Sequence, residues 1–325
     1  MNISKYPLSK HIRNNSPIIY GCMGLGGDWN KIDITSEAIK QAHEALDTAI
    51  ESGITLIDHA DIYSRGKAEK VFGEVLKQRP GLRDQIAIQS KCGIRFADEK
   101  GPKRYDCSPE WILHSVDNIL TRLHIEQLDL LMLHRPDPLI EPELVAEAFN
   151  ELEAAGKVKN FGVSNMHQHH MAFLQSSMSQ PIVVNQIELS LSHQPWLEEC
   201  VTSGNSGHPA VNFGSGTIEH CRQNNIQIQA WGSLCQGLFS GRDVSTEAVH
   251  IQKTAELVAQ LAAEYQTSKE AIVVNWLMSH PANIQPVIGT TNIERIKACA
   301  QASDIKVSRE HLYALWVSAR GRELP

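Results

Sequence analysis

Eight short apolar runs punctuate the chain, and each is followed by a stretch whose apolar residues recur with helical spacing. The runs are Ile18 to Tyr20, Ile54 to Ile57, Ile86 to Ile88, Leu128 to Leu133, Val158 to Val163, Ile182 to Val184, Ile226 to Ala230 and Pro286 to Ile288. Runs this short and this apolar suit strands buried on both faces, and strand-helix alternation is the pattern of a parallel sheet. An open doubly wound sheet uses the same local signals, but eight repeats favour a closed (β/α)8 TIM barrel, an α/β fold. A barrel of this kind holds 325 residues as a single domain, residues 1–325.

The helical stretches carry readable ends. Ser108 can cap, Pro109 suits the first helical position, and Trp111, Ile112, Val116, Ile119 and Leu123 are predicted to face inward. Pro142 to Ala155 repeats the pattern with Leu144, Val145, Ala148, Phe149 and Leu152, and Gly156 is placed as a left-handed stop. Two segments depart from the alternation. Glu198 to Gly216 is too polar and glycine-rich for a regular element and reads as a long loop after the sixth strand. Ser308 to Ala319 reads as a C-terminal helix with Leu312, Leu315 and Trp316 on one side, packed on the barrel exterior.

Composition narrows the partners. With 42% hydrophobic residues the chain can bury a sizeable core, and a formal net charge of -7 offers no basic face for nucleic acid or an anionic membrane. A small molecule is the expected partner, and a monomer the expected state. The seven cysteines are scattered, without C-x-x-C pairs or zinc spacing, and read as reduced thiols. Met1 to Ser16 is polar and lacks the apolar core of a secretory signal, and no apolar run approaches spanning length, so a cytoplasmic location is expected.

Barrel active sites lie where strands end, and here those ends are polar. The second run closes on Asp58, the third on Lys91, the fourth on His134, the fifth on Ser164-Asn165 and the sixth on Asn185-Gln186. Such groups are costly in a core unless paired, so they are expected to converge on a cleft.

Within that pattern, Gly53-Ile54-Thr55-Leu56-Ile57-Asp58-His59-Ala60-Asp61-Ile62-Tyr63 resembles the aldo-keto reductase motif that holds a catalytic Asp and Tyr. Lys91 in Gln89-Ser90-Lys91-Cys92-Gly93 and His134 in Leu133-His134-Arg135-Pro136-Asp137 match the family's lysine and histidine. The resemblance continues through Gly21-Cys22-Met23-Gly24-Leu25-Gly26, Gly162-Val163-Ser164-Asn165, Asn185-Gln186, Ala230-Trp231-Gly232-Ser233-Leu234 and Ile288-Gly289-Thr290-Thr291. It thus spans nearly the whole chain, with several motifs in the family's order.

The resemblance implies an NADPH-dependent reduction of an aldehyde or ketone. Tyr63 would deliver the proton, Lys91 would lower the phenol's pKa toward a useful range, Asp58 would hold Lys91 protonated, and His134 would orient the carbonyl. For the cofactor it implies contacts from Cys22, Met23 and Asp58, with Ser164, Asn165 and Gln186 on the nicotinamide carboxamide and Trp231 stacked on the ring. It also implies a pyrophosphate against the loop from Gly232 through Ser233, Leu234 and Gly237, with Gly289, Thr290, Thr291 and Arg295 around the adenosine phosphate; Arg295 argues for NADPH over NADH. Many members have a lysine in place of Gly289 and polar residues in place of Ala298 and Cys299, which thins that clamp.

Rival readings of the same residues are a Schiff-base lyase or aldolase using Lys91, and a cofactor-binding subunit with little turnover. Ser164-Asn165 also suits the cap of a helix starting near Met166. The run His167-Gln168-His169-His170 sits at a helix start without partner ligands at metal spacing and reads as a solvated face, so no metal is predicted. Trp29, Trp196, Cys92 and Arg135 are candidates for lining the substrate pocket.

Overall fold

In the computed structural model, which describes residues 5–31, 33–202 and 216–325, the strands are β1 (Ile19–Gly21), β2 (Leu56–Asp58), β3 (Ala87–Cys92), β4 (Ile94–Arg95), β5 (Arg104–Tyr105), β6 (Leu130–Leu133), β7 (Phe161–Ser164), β8 (Ile182–Glu188), β9 (Gln227–Trp231) and β10 (Gln285–Ile288). Eight of them close into a parallel barrel in the order β1-β2-β3-β6-β7-β8-β9-β10, while β4 and β5 form a separate antiparallel hairpin above β3. Each predicted apolar run contains or overlaps one barrel strand.

The helices are α1 (Ser36–Glu51), α2 (Lys67–Gln78), α3 (Pro109–Leu123), α4 (Pro142–Ala154), α5 (Gln168–Gln175), α6 (Pro195–Thr202), α7 (Thr217–Gln223), α8 (Val249–Glu264), α9 (Lys269–Met278), α10 (Ile293–Ala300) and α11 (Arg309–Arg320). Ser108 caps α3 through its hydroxyl, which accepts from the Trp111 N–H at 3.3 Å, and Gly156 ends the α4 turn at φ 69°. Trp111 and Leu144 are not in the core as predicted. The Trp111 indole lies at the rim under the Arg95 guanidinium, 4.2 Å from its ring centroid, and Leu144 is 36% exposed.

The segment expected to be loop from Glu198 is helical as far as Thr202, because Pro195-Trp196-Leu197 starts a turn that packs its apolar side inward. Glu198 in that helix binds the buried Arg320 guanidinium of α11 through both oxygens at 2.8 Å, which ties the C-terminal helix to α6. The rest of the predicted loop, residues 203–215, lies outside the described residues. The helix after β7 starts at Gln168 rather than Met166. Its cap is His167, whose Nδ1 accepts from the His169 and His170 N–H groups, so Ser164 and Asn165 are free of that role.

Residues alternate across the barrel wall. Tyr20, Ile57, Ile88, Leu131 and Val163 face the helices, and Ile19, Leu56, Ala87, Leu130 and Val184 fill the interior. Leu8 and Ile12, from a short 3-10 turn at Pro7–Lys10 that the sequence does not announce, join this interior layer and close the N-terminal end. Gly162 points into the same layer. A Cβ there would lie 3.0 Å from the Val184 carbonyl oxygen and 3.1 Å from Met132, so any larger residue would press on the β8 backbone. Among the described residues no helix is long and apolar enough to cross a membrane.

Candidate active site

Above the apolar layer the interior turns polar. Asp58, at the end of β2, and Lys91, one residue before the end of the longer β3, are each 1% exposed, and the Lys91 ammonium bridges both Asp58 oxygens at 2.7 Å. The same ammonium donates to the His59 carbonyl at 2.9 Å and to the Tyr63 hydroxyl at 3.0 Å. A buried ion pair is tolerated when its remaining hydrogen-bonding capacity is satisfied, as it is here. Burial alone would lower the Lys91 pKa, but Asp58 and Tyr63 outweigh it and hold the group above its usual value. Lys91 therefore stays charged.

Beneath Asp58 lies a ring that the sequence reading missed. Gln89 Nε2 donates to Asp58 Oδ1 at 2.7 Å and to Gln229 Oε1 at 2.8 Å, and Gln229 Nε2 returns a bond to Gln89 Oε1 at 3.0 Å. Gln186 Nε2 donates to Asp58 Oδ1 at 3.0 Å and to Gln229 Oε1 at 2.9 Å. Three glutamines from β3, β8 and β9 thus seat one carboxylate. The signal was present: Gln89 and Gln229 interrupt apolar strands at inward positions, where an amide must find partners.

Tyr63 reaches this cluster from the turn after β2, where Ser64 and Arg65 take left-handed φ values of 48° and 58°. Its phenol pKa is pushed up to about 12. Burial raises it most, Lys91 opposes, and Asp58 adds to the rise. The expected lowering by Lys91 is real but smaller than desolvation, so the expectation of a depressed phenol pKa is corrected. His134, above β6, stands edge-on to Tyr63 with ring centroids 6.2 Å apart. Burial, then the charges of Lys91 and Arg135, hold its pKa well below 6.5, so the ring is neutral, and its Nδ1 is buried without a partner.

These groups open on a cleft of about 870 Å³. Of the predicted cofactor residues, Met23, Asp58, Ser164, Asn165, Gln186, Trp231, Gly232, Ser233, Leu234, Gly237, Gly289, Thr290 and Arg295 line it. Cys22 and Thr291 do not. The Cys22 side chain is wholly buried against the core, and only the backbone of that turn could approach a ligand. Ser164 Oγ donates to the Gln186 carbonyl at 2.8 Å, Asn165 Nδ2 donates to Ser164 Oγ at 2.8 Å, and Trp231 Nε1 donates to Asn165 Oδ1 at 3.1 Å. The three side chains are fixed by one another before any ligand arrives.

The turn after β9 borders the cleft through Gly232, Ser233, Leu234, Gln236 and Gly237. Leu234 at φ -90° and ψ 2° precedes Cys235, Gln236 and Gly237 at φ 51°, 53° and 79°, and the tight turn spends the Cys235, Gly237 and Leu238 N–H groups on the Gly232, Leu234 and Cys235 carbonyls. Gly289 has open space where a side chain would stand, and Arg295 at the rim has only a 3.6 Å contact with Glu270. Cys299 is buried in the core, so it is not part of a clamp.

Of the candidates for the substrate side, Trp29 and Arg135 line the cleft, whereas Trp196 and Cys92 are buried away from it. Trp29 rides on a loop whose anchor was also missed: the buried Lys67 ammonium donates to the Asp28 and Lys31 carbonyls at 2.6 Å each. Tyr105 and Lys103 reach the cleft from the β4–β5 hairpin.

Comparison with known proteins adds an independent finding. The profile of the Aldo/keto reductase family matches residues 17–316. A 6-dehydroglucose reductase of Agrobacterium fabrum (strain C58) is 36% identical over 315 residues, covering 95% of this chain and 96% of the relative. An uncharacterized oxidoreductase, YcsN, of Bacillus subtilis (strain 168) is 32% identical over 314 residues, covering 95% and 96%. The crystal structure of an aldo-keto reductase from Klebsiella pneumoniae in complex with NADPH superposes with a TM-score of 0.69 at 24% identity, covering 92% of this chain and 89% of that one.

Proposed function

The chain belongs to the aldo/keto reductase family, and from that premise we propose that it reduces an aldehyde or ketone to an alcohol with NADPH, Tyr63 serving as the general acid. The observation that carries the proposal is the Lys91 ammonium held between Asp58 at 2.7 Å and the Tyr63 hydroxyl at 3.0 Å, beneath an open cleft.

A nicotinamide, when bound, supplies the hydride. Ser164, Asn165, Gln186 and Trp231 would hold its ring, with Met23 and the Cys22 backbone nearby. The turn from Gly232 to Leu238 would hold the pyrophosphate, and Gly289, Thr290 and Arg295 the adenosine end. The fit rests on the place of Gly232, Ser233, Leu234 and Gly237 on the cleft wall and on the open space at Gly289.

The rest follows from the chain's own residues. As the carbonyl carbon gains its hydrogen, negative charge collects on oxygen, and an alkoxide is about as basic as hydroxide, roughly pKa 15.7. A phenol of pKa about 12 stays protonated at neutral pH yet gives its proton readily to such a base. Lys91 donates to the phenol oxygen, which leaves the phenol's own proton free for the cleft. The alternative acceptor, Asp58 Oδ2, is 3.5 Å away and a weak competitor. The phenolate left behind sits against the Lys91 ammonium, which offsets its charge. His134, neutral and with its buried Nδ1 lacking a partner, keeps its proton on Nε2 and donates it to the carbonyl oxygen; the other tautomer would bury an unpaired N–H.

The lyase reading needs a free amine at Lys91. Its three protons are shared among four acceptors and its pKa is held high, so the geometry favours the reductase. Absorbance of NADPH followed with a panel of aldehydes and ketones, with NADH as control, tests the proposal. Consumption of NADPH with at least one carbonyl is expected, and none with any would overturn it.

A further inference from the structure

Building on the carbonyl-reductase reading of this cleft, we infer that the substrate carries an anionic group, gripped by Arg135 with help from Lys103. Neither cation is explained by the chemistry at Tyr63, and neither is neutralised. Among the described residues no carboxylate lies within ion-pair distance of either, although other basic groups near the cleft are paired.

The nearby acids are engaged elsewhere in a consistent way. Asp137, two residues after Arg135, turns both oxygens to backbone N–H groups, those of Cys107 at 3.2 Å and Leu139 at 2.9 Å. Asp98 and Asp106, which flank Lys103 in the hairpin, are engaged by Arg95 and Arg104. Asp58 is the carboxylate among the cleft-lining residues, and Lys91 and the glutamines surround it. A protein of net charge -7 therefore presents, at this cleft, cations without partners. Lys103 is exposed and Arg135 half-buried, so both are within reach of an anionic ligand in the cleft.

They rise from strands opposite those that lead into the proposed phosphate contacts, although the Arg135 guanidinium reaches across the cleft to the Trp231 ring at the end of β9. Arg135 follows β6 and Lys103 sits on the hairpin rising from β3, and β3 and β6 are neighbours. The proposed phosphate contacts follow β9 and β10, on the far side of the ring. Arg135 is also next to His134, the group that would orient the carbonyl. Its guanidinium is half-buried and rests 5.5 Å from the Trp231 ring centroid, so its planar fork is partly fixed, which suits a carboxylate or phosphate. Trp29, Tyr105, Ile62 and Ile94 supply apolar surface on the same side, and low polarity strengthens an ionic contact.

The test measures kcat/KM with NADPH for two matched pairs: 4-carboxybenzaldehyde against methyl 4-formylbenzoate, and D-glyceraldehyde 3-phosphate against D-glyceraldehyde. The anionic member of at least one pair is expected to be preferred by about tenfold or more, and that pair tells carboxylate from phosphate. Added salt should erode the preference. Arg135→Met should lower the anion-to-neutral ratio by about tenfold, Arg135→Lys should retain part of it, and Lys103→Met should lower it less. Because the readout is a ratio within one preparation, a loss of folded protein does not imitate the effect. Reduction of both members of each pair without preference, or equal losses for both in Arg135→Met, would overturn the inference and leave the reductase reading standing. NADPH consumption with none of the four would instead remove the reductase reading, and the inference with it.

Discussion

The two ends of the barrel are built from the same strands and have opposite character. At the N-terminal end Ile19, Leu56, Ala87, Leu130, Met132 and Val184 meet Leu8 and Ile12 in a dry layer. One step of the alternation further along, β2, β3, β8 and β9 present Asp58, Gln89, Lys91, Gln186 and Gln229 to the same interior. A cleft of comparable size, about 820 Å³, also opens at the N-terminal end, where the charges nearest the strands are tied into structure: Arg83 and Lys159 both bind Asp129, and Arg83 caps the Ile86 and Gln127 carbonyls. A cleft alone is therefore a poor guide to chemistry. What marks the C-terminal end is a buried ion pair, Lys91 with Asp58, in hydrogen-bond contact with the Tyr63 hydroxyl at the cleft wall.

Substitutions at the two ends should separate stability from catalysis. Lys91→Met should have the largest effect, because it strands the buried Asp58 charge. A loss of about 3–5 kcal/mol of stability is expected in denaturant unfolding, together with loss of activity. Leu130→Ala in the dry layer should cost about 2–5 kcal/mol while kcat per folded molecule stays near wild type. A matching fall in kcat would mean that the lower layer positions the site. Gln89→Leu removes one side of the glutamine ring and should cost about 1–3 kcal/mol. It should also lower kcat more than KM, since it frees Asp58 without touching the cleft wall.

The smallest effect concerns pH. The His59 pKa is held down to about 3 by burial, then by Lys91 and Arg122, whereas the unfolded ring titrates near its ordinary value of 6.5. Its contribution to stability is present above pH 6.5 and is lost as pH falls from there toward 3. His59→Phe, in a pocket already lined by Phe72 at 4.7 Å, should shallow the decline of Tm across that window. An unchanged slope would place the acid sensitivity elsewhere.

The barrel was legible because strands buried on both faces must be apolar, and eight such runs leave few alternatives. The elements that escaped are those with little apolar content or length. The Pro7–Lys10 turn contributes Leu8 and, just beyond it, Ile12, and the β4–β5 hairpin is held by Arg95, Arg104 and Asp98 rather than by a core. The four residues expected to carry the chemistry do converge, since each lies at or near a strand end. What the motif could not convey was magnitude. Lys91 beside Tyr63 suggested a lowered phenol pKa, but the sign of the shift depends on how much water the fold removes, and burial exceeds the charge. The glutamine ring was hidden for a related reason: Gln89, Gln186 and Gln229 are 31 to 140 positions from the groups they bind, and the register of the barrel brings them together.

The proposed reduction depends most heavily on Tyr63 as the proton donor. Single-turnover oxidation of bound NADPH by an aldehyde that the wild-type protein reduces, compared with Tyr63→Phe, measures that role directly. A fall in the chemical step of about 10²–10⁴-fold is expected, with NADPH affinity nearly unchanged. A Tyr63→Phe protein that turns over at the wild-type rate would contradict it.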